Sequence, residues 1–189
     1  MFFFLDFTGW VGYHKRVFTK GMMDMPQVAI IMGSANDYPV LEPACKLLEH
    51  FGVSYTVRVL SAHRTPREAA DFAGKLEEMG VQVVIAAAGK AAALPGVIAA
   101  HTLLPVIGLP IKSSTMDGMD SLLSIVQMPP GIPVATVAIN GGENAALLAV
   151  QIMTLTNPEL KKAFAEHRKQ QTQKVLEQDR QLQLDIAAK

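Results

Sequence analysis

The sequence has few of the residues that mark several large classes of protein. It contains one cysteine, Cys45, so no internal disulfide can form, as expected for a protein of the reducing cytoplasm. Cys45 falls in a helical pattern and is more simply a buried thiol than a nucleophile. Aromatic residues make up only 6% of the chain and hydrophobic residues 50%, a balance typical of α/β layers rather than of a β-sandwich.

Charge of one sign and long apolar runs are also lacking. The chain has 17 basic and 17 acidic residues and a formal net charge of zero. It therefore shows no broad electrostatic footprint for nucleic acid or an anionic membrane. No apolar run reaches the ~20 residues needed to span a bilayer. We expect a cytoplasmic protein that binds neither nucleic acid nor membrane.

Residues 1–25 differ in character from the rest of the chain. They begin with a short apolar run that ends at Asp6 and has no basic residue before it, unlike a signal peptide. We expect either that these residues form a flexible extension or that the given start of the protein lies upstream of the true translation start. We assign the segment no function. The predicted α/β domain covers residues 26–157.

A unit of strand, turn and helix recurs along that domain. The continuous apolar run at residues 28–32 is typical of a strand buried on both faces, and the alternation at residues 54–59 predicts a second strand with one face in a core. Three further strands are predicted at residues 81–86, 105–109 and 134–139. The predicted helices cover residues 40–51, 66–79, 97–102, 119–126 and 144–156. This alternation predicts a parallel sheet covered by helices on both faces.

The turn after the first strand is a candidate phosphate cradle. Gly33 and Ser34 are small, so backbone N–H groups can approach a ligand there, and the helix start behind them favours negative charge. The signal is weak alone, because many α/β proteins have such residues in a first turn for conformational reasons.

The turn after the second strand is the strongest candidate site. It contains Ser61, His63 and Arg64, at the sheet edge where open α/β sheets bind their ligands. An imidazole and a guanidinium there can meet an anionic substrate and exchange a proton with it near neutral pH. Thr65 and Glu68 are predicted to form a capping box at the start of the next helix. The alternative is that His63 merely caps or packs the turn.

Other motifs are weaker. Gly89 and Lys90 suggest a P-loop, but the position five residues before Gly89 is not glycine, and alanine follows the lysine. The histidines show no zinc-ligand spacing, so no metal is predicted. Glu143 is best explained as an N-terminal helix charge. Lys112 lies on the ligand-binding edge, where a supporting contact and a solvated loop are equally plausible.

A long polar helix is predicted for the end of the chain, over residues 158–189 with helix to about Leu184. Asn157 is its expected N-cap, and its apolar residues are sparse. Such a helix has little to bury in its own domain. It is either solvated or, as we favour, an arm that lies on a neighbouring subunit.

Four segments together closely resemble the PurE family, the 5-(carboxyamino)imidazole ribonucleotide mutases of purine biosynthesis. The segments are residues 31–34 with Asp37, then 61–66, 94–96 and 120–129. The likeness runs from about Pro26 into the final helix.

The resemblance implies a flavodoxin-like, Rossmann-like three-layer α/β/α sandwich and a homo-octamer in which C-terminal helices embrace neighbours. It implies an isomerase that needs no metal or organic cofactor and moves a carboxylate from the exocyclic nitrogen of an aminoimidazole ribonucleotide to a ring carbon. Carbon dioxide is released, held and recaptured while a histidine moves the proton, and His63 matches that histidine. The residues that match the family's substrate-binding positions, or stand beside them in the same motifs, are Gly33, Ser34, Asp37, Ser61, Arg64 and Gly89.

The sequence departs from the family pattern after the third strand. Family members commonly have glycine where this chain has Lys90 and a second active-site histidine where it has Ala93, and Asn36 replaces a usual serine. Our hypothesis is that Lys90 partly substitutes for the missing polar group, or that the second histidine is dispensable. Three alternatives to the mutase remain: a carboxylase that uses free carbon dioxide, a carboxylase acting on another nucleotide, and a nucleotide-binding protein with altered or lost activity.

Overall fold

The computed structural model describes residues 25–188, so the predicted extension lies outside this range except for Met25. Five strands form one sheet, in the order β2-β1-β3-β4-β5. The strands are β1 (Val28–Met32), β2 (Tyr55–Val59), β3 (Val83–Gly89), β4 (Val106–Ile111) and β5 (Ala135–Thr136). Every adjacent pair is parallel. This strand order is the flavodoxin-like one.

Six α-helices accompany the sheet in the described part of the chain. They are α1 (Tyr38–His50), α2 (Pro66–Gly74), α3 (Leu94–Ala99), α4 (Met119–Val126), α5 (Gly142–Met153) and α6 (Pro158–Ala187). A short 3-10 turn, Ala35–Asp37, precedes α1. No helix within residues 25–188 is long and apolar enough to cross a membrane.

Two separate cores flank the sheet and make it the middle of three layers. Alternate residues of β1 face opposite sides: Ile30 packs in a core with α1 and α5, whereas Ile31 packs in a core with α2, α3 and α4. All five residues of β1 are buried. A strand covered on both faces must be apolar throughout, which is why residues 28–32 form a continuous apolar run. The predicted three-layer fold with a parallel sheet is confirmed.

Several predicted boundaries were wrong. β3 begins at Val83 and continues to Gly89 instead of ending at residue 86, because its small residues pair with β4 along Ala86–Gly89. β4 likewise runs to Ile111, whereas β5 keeps only two residues of the predicted 134–139. α2 ends at Gly74, after which turns lead to Gly80, whose φ of +80° suits glycine.

The last helix matches its prediction closely. The side chain of Asn157 accepts a hydrogen bond from the N–H of Leu160 at 3.0 Å, the N-cap that the sequence predicts. Leu160 is buried, and Phe164 and His167 are half-buried against α1 and α5. From residue 168 to residue 188 every position is exposed.

Candidate active site

The candidate site lies at the carboxyl edge of the sheet, where β1 ends between β2 and β3. In a doubly wound sheet this is the point where successive connections leave toward opposite faces, and the loops part to form a crevice. The turns at residues 33–37 and 61–65 follow β1 and β2 directly, and Gly89 is the last residue of β3. The parallel sheet therefore places the predicted segments at one edge.

The turn after β1 is held by its own backbone and by β3. The N–H of Gly33 donates to the carbonyl of Ala87 at 3.3 Å, which extends the sheet pairing into the turn. The hydroxyl of Ser34 accepts from the N–H of Asn36 at 3.3 Å, and the carbonyl of Ser34 accepts from the N–H of Asp37 at 3.1 Å. Gly33 and Ser34 are half-buried, so this turn is partly accessible at the edge of the sheet.

The turn after β2 is closed by hydroxyl groups. The hydroxyl of Thr65 accepts from the N–H of Ser61 at 2.8 Å and donates to the carbonyl of Ser61 at 3.2 Å. The hydroxyl of Ser61 accepts from the N–H of Arg64 at 3.2 Å. The predicted capping box with Glu68 is wrong: Thr65 makes no side-chain cap on α2, because its hydroxyl is used by the preceding turn.

Arg64 joins the two turns. Its Nη2 donates to the carbonyl of Gly33 at 2.7 Å, and its Nε donates to the hydroxyl of Ser61 at 3.4 Å. The side chain is nonetheless exposed. A guanidinium has five N–H donors, so two neutral acceptors leave others for a ligand. The structure thus brings together Gly33, Ser34, Ser61 and Arg64.

Asp37 completes this group. It is half-buried, and burial raises the pKa of its carboxyl above the ordinary value of 3.8. The backbone N–H of Ser34 and the positive charge of Arg64 oppose that shift without overcoming it. A carboxylate in a partly desolvated site near a guanidinium can accept hydrogen bonds from hydroxyl groups of a ligand.

His63 and Gly89 lie at the same edge without joining this network. His63 is exposed, and among residues 25–188 its side chain neither donates nor accepts a hydrogen bond. Gly89 pairs with Ile111 of β4, and a Cβ added at Gly89 would lie 3.6 Å from Ile111. His63 is therefore free to meet a ligand, while the backbone of Gly89 forms one wall of the edge.

The loops after β4 and β5 show interactions that sequence reasoning did not predict. The side chain of Asn140 accepts from the N–H of Lys112 at 2.9 Å, and the Lys112 ammonium pairs with Asp117 at 2.8 Å. Ser113 donates to the carboxylate of Asp120 at 2.7 Å. Two sequence features could have indicated these interactions: the turn at residues 140–142, which contains Asn140, and the motif that begins at Asp120. Glu143 lies in the first turn of α5, as predicted.

No metal centre is evident in the part of the chain that the structure describes, where no three His, Cys, Asp or Glu side chains form a group that could hold an ion. The arrangement offers one guanidinium, one imidazole, one carboxylate and hydroxyl groups. The fold and the site together define a doubly wound α/β protein whose sheet edge gathers groups suited to a phosphorylated small molecule.

Comparison with known proteins identifies the family. The sequence profile of the AIR carboxylase family matches residues 27–174, and the chain belongs to that family. An N5-carboxyaminoimidazole ribonucleotide mutase of Pyrococcus abyssi is 58% identical over 144 residues, 76% of this chain and 83% of the relative. The mutase of Thermotoga maritima is 50% identical over 159 residues, 84% of this chain and 93% of the relative.

A solved structure agrees. The crystal structure of Treponema denticola PurE matches with a TM-score of 0.76 at 31% identity, and the match covers 83% of this chain and 98% of that one. The family resemblance predicted from the four sequence segments is confirmed.

Proposed function

We propose that this protein is an N5-carboxyaminoimidazole ribonucleotide mutase of purine biosynthesis, an isomerase that produces 4-carboxy-5-aminoimidazole ribonucleotide. The observation that carries the proposal is the 50–58% identity to relatives named as this mutase, over three quarters or more of the chain. The group of residues at the end of β1 supports it, because its exposed guanidinium and imidazole suit a phosphorylated substrate that must lose and gain a proton.

The substrate phosphate binds Arg64 and the Gly33–Ser34 turn, where the Ser34 hydroxyl accepts from the N–H of Asn36 and keeps its own proton to donate. A guanidinium fork matches phosphate oxygens, and charge-assisted hydrogen bonds are the strong ones. The bond from Arg64 to the carbonyl of Gly33 supports this assignment, because it holds the cation beside that turn. Ser61 orients Arg64, and Asp37 accepts hydrogen bonds from the ribose hydroxyls. The backbone of Gly89 lines the opposite side.

His63 moves the proton. When the exocyclic N–C bond breaks, its electron pair stays on nitrogen and carbon dioxide leaves, so the nitrogen takes a proton. The ring carbon then attacks carbon dioxide, and the proton on that carbon must depart. One imidazole can give the first proton and accept the second, since histidine exchanges protons near neutral pH. The exposure of His63 and its place beside Arg64 support this role.

Assay of two substrates tests the proposal. We expect product from carboxyaminoimidazole ribonucleotide at low bicarbonate, and a loss of about 10²-fold or more in kcat for His63→Asn. Aminoimidazole ribonucleotide with bicarbonate is the parallel substrate. Turnover of the second substrate alone would make the protein a carboxylase. Turnover of neither would indicate another nucleotide or a binding role.

We also propose that the enzyme is a cytoplasmic homo-octamer. In this assembly, the helix of residues 158–189 extends from the 26–157 domain of its own subunit and packs on neighbouring subunits. The free, buried thiol of Cys45 agrees with a reducing compartment. The second half of α6 supports the assembly, because its five large apolar side chains are 52–63% exposed in one chain: Val175, Leu176, Leu182, Leu184 and Ile186.

Light scattering of the full chain tests the assembly. We expect a mass of eight chains for the wild type and a smaller particle for the double variant Val175→Glu with Leu182→Glu. Gln178→Glu on the same helix adds charge without removing an apolar side chain, so it should leave the mass unchanged. A wild-type monomer would contradict the proposal.

A further inference from the structure

Lys90 occupies an unusual backbone conformation at the edge of the site. It directly follows Gly89, the last residue of β3, and its φ is +55°. Glycine reaches such angles at no steric cost, whereas a side chain with a Cβ is disfavoured there. Residues in such conformations concentrate at functional sites, where the surrounding structure holds them. The N–H of Ala92 donates to the carbonyl of Gly89 at 3.1 Å, which closes the turn around Lys90.

The sheet register places Lys90 at the same edge as the proposed phosphate site, on the other side of β1 from Arg64. The N–H of Gly33 bonds to the carbonyl of Ala87, three residues before Lys90. Arg64 follows β2 and Lys90 follows β3, with β1 between them. Neighbouring strands are about 4.8 Å apart, so the two cations start on the order of 10 Å apart across the edge. In a carboxylated ribonucleotide, the ribose separates the phosphate from the base that carries the carboxylate, so the ligand has two anionic ends.

The ammonium of Lys90 is available to bind a ligand. Lys90 is exposed, and in the region from Met25 to Ala188 it forms no ion pair. The other lysine at this edge, Lys112, is paired with Asp117 at 2.8 Å. An ammonium on a flexible four-carbon stem that has no carboxylate partner can bind an anion of the ligand.

We propose that Lys90 binds the carboxylate that the enzyme transfers, at the end of the crevice away from Arg64. The proposal rests on the mutase function above, in which Arg64 and the Gly33 turn bind the phosphate, so the carboxylate is the remaining anion. The ammonium attracts the carboxylate of both substrate and product. Lys90 therefore determines preference for the carboxylated nucleotide over aminoimidazole ribonucleotide.

Two kinetic constants of Lys90→Gln test this role. The variant keeps a polar side chain with the same backbone demand and removes the positive charge. We expect KM for carboxyaminoimidazole ribonucleotide to rise about tenfold, as for the loss of a charge-assisted hydrogen bond. The inhibition constant of aminoimidazole ribonucleotide in buffer free of carbon dioxide should stay unchanged, because this ligand has the phosphate but no carboxylate.

Three further variants complete the experiment. Lys90→Arg should restore most of the affinity for the carboxylated nucleotide, since it restores the charge. Lys90→Gly should lose affinity for the carboxylated nucleotide, as Lys90→Gln does. Because glycine suits the positive φ, this variant should be at least as stable as the wild type. Lys75→Gln, an exposed lysine at the end of α2, should change neither constant.

The outcomes separate the two proposals. An unchanged KM in Lys90→Gln, or equal weakening of both ligands, would overturn the role of Lys90 while leaving the mutase function in place. A wild-type protein that turns over no carboxyaminoimidazole ribonucleotide would overturn the mutase function itself, and with it the assignment of Lys90.

Discussion

The guanidinium of Arg64 donates from Nη2 to the carbonyl oxygen of Gly33 at 2.7 Å, across 31 positions of sequence. This bond joins the turn after β2 to the turn after β1. It places a cation beside the first turn, and a second bond of Arg64, to Ser61, keeps the guanidinium oriented. The phosphate site that we propose depends on this one relationship.

Arg64→Lys should therefore be far from conservative. Lysine keeps the positive charge but lacks the planar fork that can bond Gly33 and a phosphate together. We expect KM to rise about tenfold or more with a smaller change in kcat, because a binding contact is lost. The free energy of unfolding should change by less than about 1 kcal/mol, since the side chain is exposed. Steady-state kinetics and urea denaturation measure both, and an unchanged KM would contradict the phosphate assignment.

Asp37 should make stability depend on pH in an unusual direction. Its pKa in the folded state lies above 3.8 because burial disfavours the charged form. The folded state therefore holds the proton more tightly than the unfolded state, and stability falls as pH rises from below 3.8 through the raised pKa.

We expect Asp37→Asn to be at least as stable as the wild type at pH 7, with a flatter dependence of stability on pH in the acidic range above pH 3.8. The same variant should raise KM, since the carboxylate that accepts from the ribose is lost. Denaturant unfolding at several pH values, beside steady-state kinetics, checks both effects. An Asn variant less stable than the wild type at pH 7 would show that the attraction of Arg64 outweighs burial.

Gly142 allows α5 to approach α1 closely. A Cβ at this position would overlap the backbone carbonyl oxygen of Val40, which cannot move as a flexible side chain would. We expect Gly142→Ala to lower the free energy of unfolding by about 1–3 kcal/mol. Gly74→Ala is the matched control, because a Cβ at Gly74 would meet nothing within 4 Å. It should be neutral or slightly stabilising at the end of α2. Equal effects of the two substitutions would contradict the packing argument.

Cys45 should be unreactive in the folded protein. Its side chain is 3% exposed, and burial raises the pKa of the thiol to about 11. Thiolates, not thiols, react with disulfide reagents, so labelling at pH 8 should be slower than for a free cysteine by about two orders of magnitude or more. In denaturant the rate should become that of an exposed thiol. Because the sequence has one cysteine, the signal is unambiguous. Rapid labelling without denaturant would show that α1 opens readily.

Much of the architecture could be predicted from local patterns. The apolar run at residues 28–32, the alternation before Ser61 and the N-cap at Asn157 all correspond to elements of the structure. Each depends on side chains within a few positions of one another. The family could be predicted because its motifs are short and contiguous, and the names of the matching relatives agree with the predicted mutase activity.

The errors lie where a distant part of the chain decides a local structure. Ala87 and Ala88 have little preference for strand, yet pairing with β4 extends β3 through them to Gly89. The sequence around Thr65 predicts a capping box, but its hydroxyl bonds to Ser61 instead. Local propensity is a weak prior that tertiary context overrides.

The sequence by itself determined the order of strands and helices, the family and the segments that carry the candidate chemistry, because periodicity, caps and motifs are properties of neighbouring residues. Only the tertiary structure decided that Arg64 contacts Gly33, that Asp37 is partly desolvated and that Lys90 lies at the same edge with no ion pair among residues 25–188. These relationships arise when β2 and β3 pair on either side of β1, and hydrogen bonding between strands distant in sequence leaves no local pattern from which they could be predicted.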